Sequence, residues 1–467
     1  MSLTSDTSEL DPAIEHDALD EDYVLTPAFV ETVVDAADAG EGLKLRGLLE
    51  DLHPADVADL MGFLTAEHRA VVTVWLPPEL LADTLPELDD GIREEVLERV
   101  PAGALAEALQ ELDSDDAAAV VEDLEADQRE RVLAAMPETD RAAIESSLGY
   151  GEDTAGRLMQ REVMAAPQFW NVGDTIDHVR GQGEDLPELF FDIYVVDPLN
   201  RPVGGVPVSR LLRAPRATAL AEIMEPINEI AVDQDQEEVA YIFEKYHLIS
   251  APVIDAAGRL VGQITVDDIV NIIQEENRED ILRLAGVSDE SRAAGVFGVV
   301  RSRIPWLIVN LGTALFASWV ISQFQGEIEA LVALAVLMPI VASIGGNAGT
   351  QALTVSVRAL AARELSSANA VRVLGRELMV GAFNGVTIAG LLALIAGAWF
   401  QDAMLSLTIG LAVLINLVAA SLAGTLIPLM LDRLDRDPAV ASPVFVTWIT
   451  DTIGFLSFLG LAGVILL

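Results

Sequence analysis

The last third of the chain contains five long stretches with almost no charge, and they constrain the fold more than any other feature. The stretches are Ile304 to Phe324, Ala330 to Val357, Leu378 to Phe400, Ala403 to Leu431 and Ser442 to Leu467. Each exceeds the ~20 residues that an α-helix needs to cross the hydrocarbon core of a bilayer. The sequence therefore predicts a bundle of five membrane-spanning helices in residues 301–467.

Basic residues occupy alternate linkers between these stretches. Arg301 and Arg303 precede the first stretch, four arginines separate the second from the third, and Arg433 and Arg436 separate the fourth from the fifth. The other two linkers contain no basic residue. Because short basic loops tend to stay on the cytoplasmic side, we predict a multi-pass protein of the plasma membrane. Its N-terminal part would be cytoplasmic and its C-terminus would lie outside.

The part of the chain before the membrane stretches is strongly acidic. The formal net charge is −46, and residues 296–467, with nine acidic and eight basic residues, contribute only −1 of it. Nucleic-acid binding requires a basic surface, so nucleic acid is not an expected partner and cations are. The acidity would also suit a host that lives at high salt, where negative charge keeps a protein surface hydrated. Both interpretations stay open.

An apolar residue recurs every twelve positions in the first part of the acidic half. The positions are Leu52, Leu64, Leu76, Leu88, Val100, Leu112, Leu124, Met136 and Leu148. Proline or a polar capping residue follows many of them, which indicates a series of short helices. Such helices bury little surface alone, so we predict that they stack into a superhelix over residues 25–150. An ordinary helical bundle is the alternative, and residues 1–24 are expected to form a disordered acidic tail.

Residues 151–270 contain one pattern twice. LFFDIYVVDPLNRPVGGVPVSRLL and HLISAPVIDAAGRLVGQITVDDIVNII both predict a strand, an Asp-containing turn, a return strand with Gly, and a helix. The duplicated unit resembles a tandem pair of CBS domains, a module with a cleft for adenine nucleotides or ions. In the second copy Gly262, Thr265 and Asp268 have the spacing with which CBS domains hold a ribose, which makes this copy the candidate ATP site. The first copy lacks the hydroxyl and the acid, and a purely structural pair is the alternative.

Asp451 interrupts the fifth apolar stretch. A charged carboxylate in the membrane costs at least ~2.5–3.5 kcal/mol on insertion scales, and no basic residue lies within the five stretches. A permeating cation would supply the missing positive charge, and Thr447 and Ser442 are predicted to add oxygens on the same helical face. The alternatives are an Asp451 that is protonated and hydrogen-bonded, or one that carries protons in an exchanger.

The second apolar stretch contains MPIVASIGGNAGTQALTVSV, in which Pro339 and the glycines are expected to loosen the helix. Irregular backbone at membrane depth is tolerated where protein buries it or where it lines a water-filled path. The candidate cation-contacting residues here are Gly346, Asn347, Thr350 and Gln351. Glycines in the later stretches more often serve close packing of helices. These glycines are Gly381, Gly385, Gly410 and Gly424.

Through GGNAGTQ, DPAVASPVF and TDTIGF, and over nearly its whole length, the chain resembles the MgtE family of magnesium channels. The resemblance implies a homodimer whose pore follows the twofold axis, lined by the second and fifth membrane helices, with Asp451 binding hydrated Mg²⁺. Thr350 and Ser442 depart from the family, which often has Asn at both positions. Mg²⁺ keeps several waters and binds one or two carboxylates, which suits two Asp451 side chains facing each other.

The segment VDDIVNIIQEENREDILRLAG joins the CBS pair to the membrane part, and its apolar spacing predicts a helix that continues into a connecting segment at residues 271–300. In the family the matching helix acts as a plug. The candidate cytosolic metal ligands are Asp267, Asp268, Glu275, Glu276, Glu279, Asp280 and Asp437. Without a cation these carboxylates would repel one another and favour an open mouth, and bound Mg²⁺ would bridge them and close it. A solvated acidic helix face is the alternative.

The sequence thus predicts a multidomain chain: an all-α superhelical repeat domain, α/β tandem CBS domains, a connecting helix and a five-helix transmembrane domain. The predicted function is a Mg²⁺-selective channel for magnesium uptake that cytosolic Mg²⁺ closes. A secondary exchanger coupled to protons or Na⁺ is the alternative, and a membrane-anchored signalling protein is third. No P-loop, HExxH or GxSxG motif occurs, so an enzyme is not expected. The expected partners are Mg²⁺, membrane lipid, a second copy of the chain and an adenine nucleotide.

Overall fold

The computed structural model describes residues 18–181, 186–187, 189–287, 296–365, 368–434 and 436–467. Apart from residues 291–293, the chain divides into two compact units at Gln274 and Glu275. Residues 1–17 of the predicted tail lie outside the described residues. The rest of that segment is structured, because Leu19 forms an antiparallel bridge with Leu25 at the start of the helical domain.

Ten short helices form the first domain, and most of them pack against the helix two places further along the chain, whereas the first contacts the second and the fourth. They are α1 (Pro27–Asp38), α2 (Gly42–Glu50), α3 (Pro54–Phe63), α4 (Ala66–Trp75), α5 (Pro78–Glu87), α6 (Asp90–Leu97), α7 (Ala102–Glu111), α8 (Ser114–Glu122), α9 (Ala126–Ala135) and α10 (Glu138–Ser147). The pairs α3–α5, α5–α7, α7–α9, α4–α6 and α8–α10 recur in order. This regular succession confirms the predicted superhelical stack over an ordinary bundle.

The twelve-residue repeat marks the ends of these helices. Leu64, Leu76, Leu88, Leu112 and Met136 each directly follow a helix and have an extended backbone. All five belong to, or pack against, the continuous hydrophobic core of the domain. The repeat therefore supplies one core residue at each turn between helices, and this burial stabilises helices that are too short to be stable alone.

The next segment folds twice into the same small sheet. The first copy comprises α11 (Ala155–Leu158), β1 (Ala165–Pro167), α12 (Val172–Gly181), β2 (Asp192–Val196), β3 (Pro202–Pro207) and α13 (Val208–Leu211). The second comprises α14 (Leu220–Ile223), β4 (Ile230–Ala231), α15 (Gln236–Tyr246), β5 (Ser250–Ile254) and β6 (Leu260–Thr265). In each copy the first two strands are parallel and the last two antiparallel, with a register shift at the equivalent position. The predicted duplication is confirmed.

A single helix, α16 (Val266–Leu284), follows β6 without a break. The predicted boundary between the CBS pair and the connecting helix at residues 270 and 271 therefore falls inside one continuous helix. Its first turn carries Asp267 and Asp268, and its last turns carry Glu279, Asp280 and Arg283. One helix thus carries both groups of candidate metal ligands.

The membrane part consists of α17 (Val296–Ser322), the short α18 (Gln325–Ala330), α19 (Ala333–Ala361), α20 (Ala370–Phe400), α21 (Ala403–Asp432) and α22 (Pro438–Ile465). Among the described residues, the five long helices are long and apolar enough to cross a membrane, as predicted. The central helix is α21, which packs against α19, α20 and α22. Its buried residues form the main core of the bundle together with those of its neighbours.

The prediction that Pro339 and the glycines loosen the second span is wrong, because α19 runs unbroken from Ala333 to Ala361. The glycines permit close contacts instead of bends. A β-carbon at Gly349 would lie 2.6 Å from Val446 Cγ1 on α22, and one at Gly424 on α21 would lie 2.7 Å from the Gly349 carbonyl oxygen. The three helices therefore approach one another most closely where a side chain is absent.

The glycines of the later spans also serve packing, as predicted. A β-carbon at Gly381 would lie 2.6 Å from Ser421 Oγ, and one at Gly385 would lie 2.7 Å from Leu414 Cδ1. Gly410 lies against the Ala389 backbone. These contacts bring α20 and α21 close together along their length.

Candidate cation sites

Asp451 lies on α22 and is half-buried in the membrane bundle. Within the described residues its carboxylate makes no hydrogen bond and no ion pair. Thr447 lies one turn earlier and is exposed. Ser442 lies nine residues before Asp451 on the unbroken helix, about two and a half turns. Thr447 thus follows the helical spacing that the sequence predicts for a face shared with Asp451, whereas the side chain of Ser442 lies outside the described residues.

A polar stripe runs along α19, which packs against α22. Asn347, Thr350 and Gln351 are exposed, and a β-carbon at Gly346 would meet no atom within 4 Å. The Thr350 hydroxyl donates to the Gly346 carbonyl oxygen at 3.0 Å, so its oxygen keeps only acceptor capacity. All four predicted residues thus lie on an open surface of the bundle. Lipid tails offer no hydrogen-bond partners for the polar groups on such a surface.

The polar stripe and Asp451 lie close to one helix crossing. Gly349 contacts Val446, and its β-carbon position is 3.3 Å from Thr450 Cγ2. Thr350 directly follows Gly349, and Asp451 directly follows Thr450. The crossing therefore lies at the level of Thr350 on α19 and of Asp451 on α22.

A second group of carboxylates lies where the superhelix meets the CBS pair. We name it the α8–α16 cluster, and its members are Asp115, Asp116, Asp267 and Asp268. Burial, and then the neighbouring Asp267 and Asp116 carboxylates, raise the pKa of Asp268 to about 7, against hydrogen bonds from the Thr265 side chain and backbone. Burial, followed by nearby acids, likewise raises the pKa of Asp116 to about 6. The pKa of Asp115 lies well above its usual range because of burial and the Asp268 charge. The cluster concentrates negative charge at the start of two helices.

Sequence reasoning found Asp267 and Asp268 but missed Asp115 and Asp116. The available signal was the pair of adjacent acids in the first turn of α8, as in LDSDD, which matches the pair that opens α16 in TVDD. The positive end of each helix dipole favours such acids locally. Nothing in the local pattern, however, indicates that the two helix starts face each other.

Hydrogen bonds hold α8 in this position. Ser114 Oγ donates to Glu162 Oε2 at 2.8 Å, and Gln160 Nε2 donates to Asp113 Oδ2 at 3.1 Å. Gln263 Nε2, on β6, donates to Gln160 Oε1 at 2.6 Å. These contacts fix the superhelix to the strand that leads into α16, so the opposed carboxylates cannot separate without breaking buried hydrogen bonds.

The residues predicted to hold a ribose do not fit a nucleotide in this arrangement. Thr265 Oγ1 donates to Asp268 Oδ2 at 2.9 Å. A β-carbon at Gly262, however, would lie 2.5 Å from the Gln160 carbonyl oxygen, because the preceding segment covers the glycine. Asp268 also faces the acids of α8, whose charge would repel phosphates. In the first CBS copy Arg210 stands where the acid would be, and it pairs with Glu225.

A third group lies at the end of α16, and we name it the mouth cluster: Glu276, Glu279, Asp280, Arg283 and Asp437. Burial raises the pKa of Asp280, and the Asp437 and Glu276 charges raise it further. The predicted proximity of these acids to Asp437 is confirmed. Glu275 lies on the same helix, one turn before Glu279.

Arg283 is the member of the mouth cluster that sequence reasoning missed. Its Nη1 lies 2.7 Å from Asp437 Oδ2, and its guanidinium also pairs with Glu279. Asp437 in turn caps α22, because its Oδ1 accepts from the Ala439 N–H at 2.7 Å. The acids here are therefore partly balanced by a fixed cation, the Arg283 guanidinium. In the described ranges no three His, Asp or Glu side chains converge tightly enough to enclose a metal unaided.

A membrane bundle with a polar stripe and an acid that has no partner among the described residues, preceded in the chain by an acidic superhelix and a CBS pair, has the features of a membrane transport protein. Comparison with known families agrees with this class. Residues 338–461 match the MgtE family, described as divalent cation transporters, residues 52–153 match the MgtE intracellular N domain, and residues 220–275 match the CBS domain.

Relatives resemble the chain over most of its length. The "Magnesium transporter MgtE" of Thermus thermophilus is 33% identical over 441 residues, which cover 92% of this chain and 97% of the relative. The protein of the same name from Bacillus subtilis is 30% identical over 420 residues, covering 89% and 93%. The chain belongs to the MgtE family. A solved structure titled as the cytosolic domain of the Mg²⁺ channel MgtE in complex with ATP is 34% identical, covers 52% of this chain and 99% of that one, and has a TM-score of 0.49.

Proposed function

We propose that the chain forms a channel that carries Mg²⁺ into the cell and closes when cytosolic Mg²⁺ is high. The observation that carries the proposal is Asp451, a carboxylate in a membrane span with no partner among the described residues. A charged carboxylate at this depth in the membrane has a high free-energy cost unless a cation neutralises it. Its relatives are named magnesium transporters, which supports Mg²⁺ as that cation.

The conducting form is a homodimer in the plasma membrane. The exposed stripe of Asn347, Thr350 and Gln351 cannot face lipid without loss of hydrogen bonds. A second copy would cover it and place two stripes and two Asp451 carboxylates around one axis. Mg²⁺ gives up its waters reluctantly and commonly binds through one or two carboxylates. Two facing acids would therefore hold the hydrated ion without stripping it. The arginine-bearing linkers support an orientation with the soluble half in the cytoplasm and the C-terminus outside.

Gating rests on the two cytosolic groups of carboxylates. Mg²⁺ bound at the α8–α16 cluster would replace repulsion between Asp116 and Asp268 with bridging, and it would hold the superhelix against the CBS pair. At the mouth cluster, Mg²⁺ would act together with Arg283 on Glu279 and Asp437. ATP has no part in this proposal, because Gly262 is covered and Asp268 faces the acids of α8.

The test is Mg²⁺ flux into liposomes that contain the purified full chain and a Mg²⁺-sensitive dye. We expect Asp451→Asn to lower the Mg²⁺ flux at least about tenfold, since it removes the negative charge that attracts the permeating ion. Asp432→Asn is the matched control, because Asp432 is exposed at the end of α21. Unchanged flux in Asp451→Asn would contradict the proposal. Flux that stops when a proton or Na⁺ gradient is removed would identify an exchanger.

A further inference from the structure

Asn416 is a buried amide at the centre of the membrane bundle, on α21. It is 1% exposed, and its Nδ2 donates to the Val341 carbonyl oxygen on α19 at 3.0 Å. Its Oδ1 is buried as well and has no hydrogen-bond partner among the described residues. A leucine would have similar volume and would avoid the cost of an unsatisfied buried oxygen. Stability alone therefore does not explain an amide at this position.

Two glycines on two other helices make room for this amide. A β-carbon at Gly345 on α19 would lie 2.1 Å from Asn416 Nδ2, and one at Gly454 on α22 would lie 2.7 Å from it. The backbones of α19 and α22 therefore both contact one side chain of α21. A larger side chain, or one that points in another direction, must move one of the two backbones, because the space is filled on both sides.

The same two backbones carry the candidate cation-contacting residues. Gly345 directly precedes Gly346 and Asn347, and Gly454 lies three residues after Asp451. On a helix, three residues correspond to slightly less than one turn. The Asn416 amide therefore contacts α19 and α22 at the level at which they present Asn347 and Asp451.

We propose that Asn416 is a positioning residue that sets the spacing between the polar stripe of α19 and the Asp451 carboxylate, and thereby the preference for Mg²⁺ over larger divalent cations. The inference rests on the proposed function, since it assumes that these groups contact the permeating ion. Asn416 itself does not need to touch the ion. It acts through its hydrogen bond to Val341 and through its contacts with Gly345 and Gly454.

The experiment compares Mg²⁺ and Ca²⁺ flux through the full chain in liposomes. Asn416→Leu keeps the volume and removes the hydrogen bond, and Asn416→Ala removes both. We expect either change to lower the Mg²⁺-to-Ca²⁺ flux ratio by about threefold or more, the factor that corresponds to one hydrogen bond between membrane helices. Asn384→Leu is the matched control, because Asn384 is exposed on α20. It should leave the ratio unchanged.

A second variant acts on the α22 backbone while Asn416 itself is kept. Gly454→Ala places a β-carbon against Asn416, whereas Gly460→Ala on the same helix would meet no atom within 4 Å. We expect Gly454→Ala to lower the ratio and Gly460→Ala not to. In the Asn416→Ala background, Gly454→Ala should have a smaller effect than it has alone, because the overlapping side chain is gone. This variant also provides the test if the Asn416 variants fail to fold.

The outcomes separate the two proposals. Wild-type protein that passes no Mg²⁺ would overturn the proposed function. Wild-type flux with variants that unfold at a lower temperature but keep the Mg²⁺-to-Ca²⁺ ratio would overturn the role of Asn416 and leave the channel intact. A changed ratio in Asn416→Leu and Gly454→Ala, with both controls unchanged, would support the inference.

Discussion

The two cytosolic groups of carboxylates differ in how their charge is balanced. In the α8–α16 cluster, burial and neighbouring carboxylates raise the pKa values of Asp115, Asp116 and Asp268, and none of the three forms an ion pair within the described residues. In the mouth cluster, Arg283 pairs with Glu279 and Asp437. The first group depends on a mobile cation or on protons for neutrality, whereas the second has a tethered cation.

The nearest favourable charge at the first group is already engaged. Arg93 lowers the pKa of Asp116 slightly, but it pairs with Asp90 at 2.8 Å and with Asp123 at 2.5 Å. Arg93 is therefore already paired and does not neutralise Asp116 and Asp268. Under the proposed function we expect cytosolic Mg²⁺ to have its largest effect at the α8–α16 cluster and a smaller one at the mouth cluster.

The largest expected effect is the loss of Mg²⁺ stabilisation when the α8–α16 cluster is neutralised. A ligand present at a hundred times its dissociation constant stabilises the folded state by about 2.7 kcal/mol. We expect Mg²⁺ to raise the unfolding temperature of the cytosolic part in the wild type, as followed by tryptophan fluorescence of the full chain. In the triple variant Asp115→Asn, Asp116→Asn, Asp268→Asn most of this increase should disappear.

The control for that experiment is Asp127→Asn, because Asp127 is exposed on α9 in an i,i+4 pair with Arg131. It should keep the full Mg²⁺ response. A triple variant that responds to Mg²⁺ like the wild type would show that the cluster does not bind the ion and would remove the distinction between the two groups.

A smaller effect is expected from pH in the absence of Mg²⁺. The pKa of Asp268 is raised from its usual 3.8 to about 7 in the folded state. Between these values the folded protein binds more protons than the unfolded chain, so the free energy of unfolding falls as the pH rises toward 7. Relative to Asp268→Asn, the wild type should lose stability on the order of 2 kcal/mol between pH 5 and about 7.5.

The measurement is denaturant unfolding of both proteins across that pH range in chelator. Groups with lowered pKa values, such as Glu95, have the opposite dependence, but they are common to both proteins and cancel in the difference. Addition of Mg²⁺ should flatten the wild-type profile, because the metal takes the place of the protons. Parallel profiles for the two proteins would show that Asp268 is not in the crowded environment described.

Local patterns in the sequence were sufficient to predict the helices, strands and membrane spans of the fold. The twelve-residue repeat, the duplicated strand pattern and the five apolar stretches each depend on residues close in the chain, and periodicity and hydropathy report such features directly. The continuity of α19 was not predicted, because Gly345 and Gly349 are tolerated in a helix only when other helices pack against them. That packing is tertiary information.

The candidate sites were predicted less completely for the same reason. Asp451 was evident because its cost in an apolar stretch is local. The meeting of Asp115 with Asp268 joins residues about 150 positions apart, and a single sequence holds no signal for it. Arg283 was present in the quoted segment, but its partner Asp437 lies in a distant loop. Charge balance at a site therefore required the structure.

The smallest effect is expected at the mouth cluster, when the positive charge of Arg283 is removed. Arg283 and Asp437 are each about one-third exposed, so their pair is partly screened by solvent and should contribute no more than about 1 kcal/mol. Arg283→Gln would leave Glu279 and Asp437 to repel each other. We expect Mg²⁺-free flux to rise up to about fivefold, measured as liposome efflux of a second permeant divalent ion with chelator on the cytoplasmic side.

The direction of this change distinguishes the two groups of carboxylates. If Arg283 stands in for Mg²⁺, the variant should still close when cytoplasmic Mg²⁺ is added, because the freed acids can now bind the ion in its place. Arg259→Gln is the matched control, since Arg259 forms an exposed pair with Asp255 in the CBS domain. A variant that conducts less than the wild type without Mg²⁺ would mean that Arg283 opposes closure, and the mouth would then depend on mobile cations as fully as the α8–α16 cluster does.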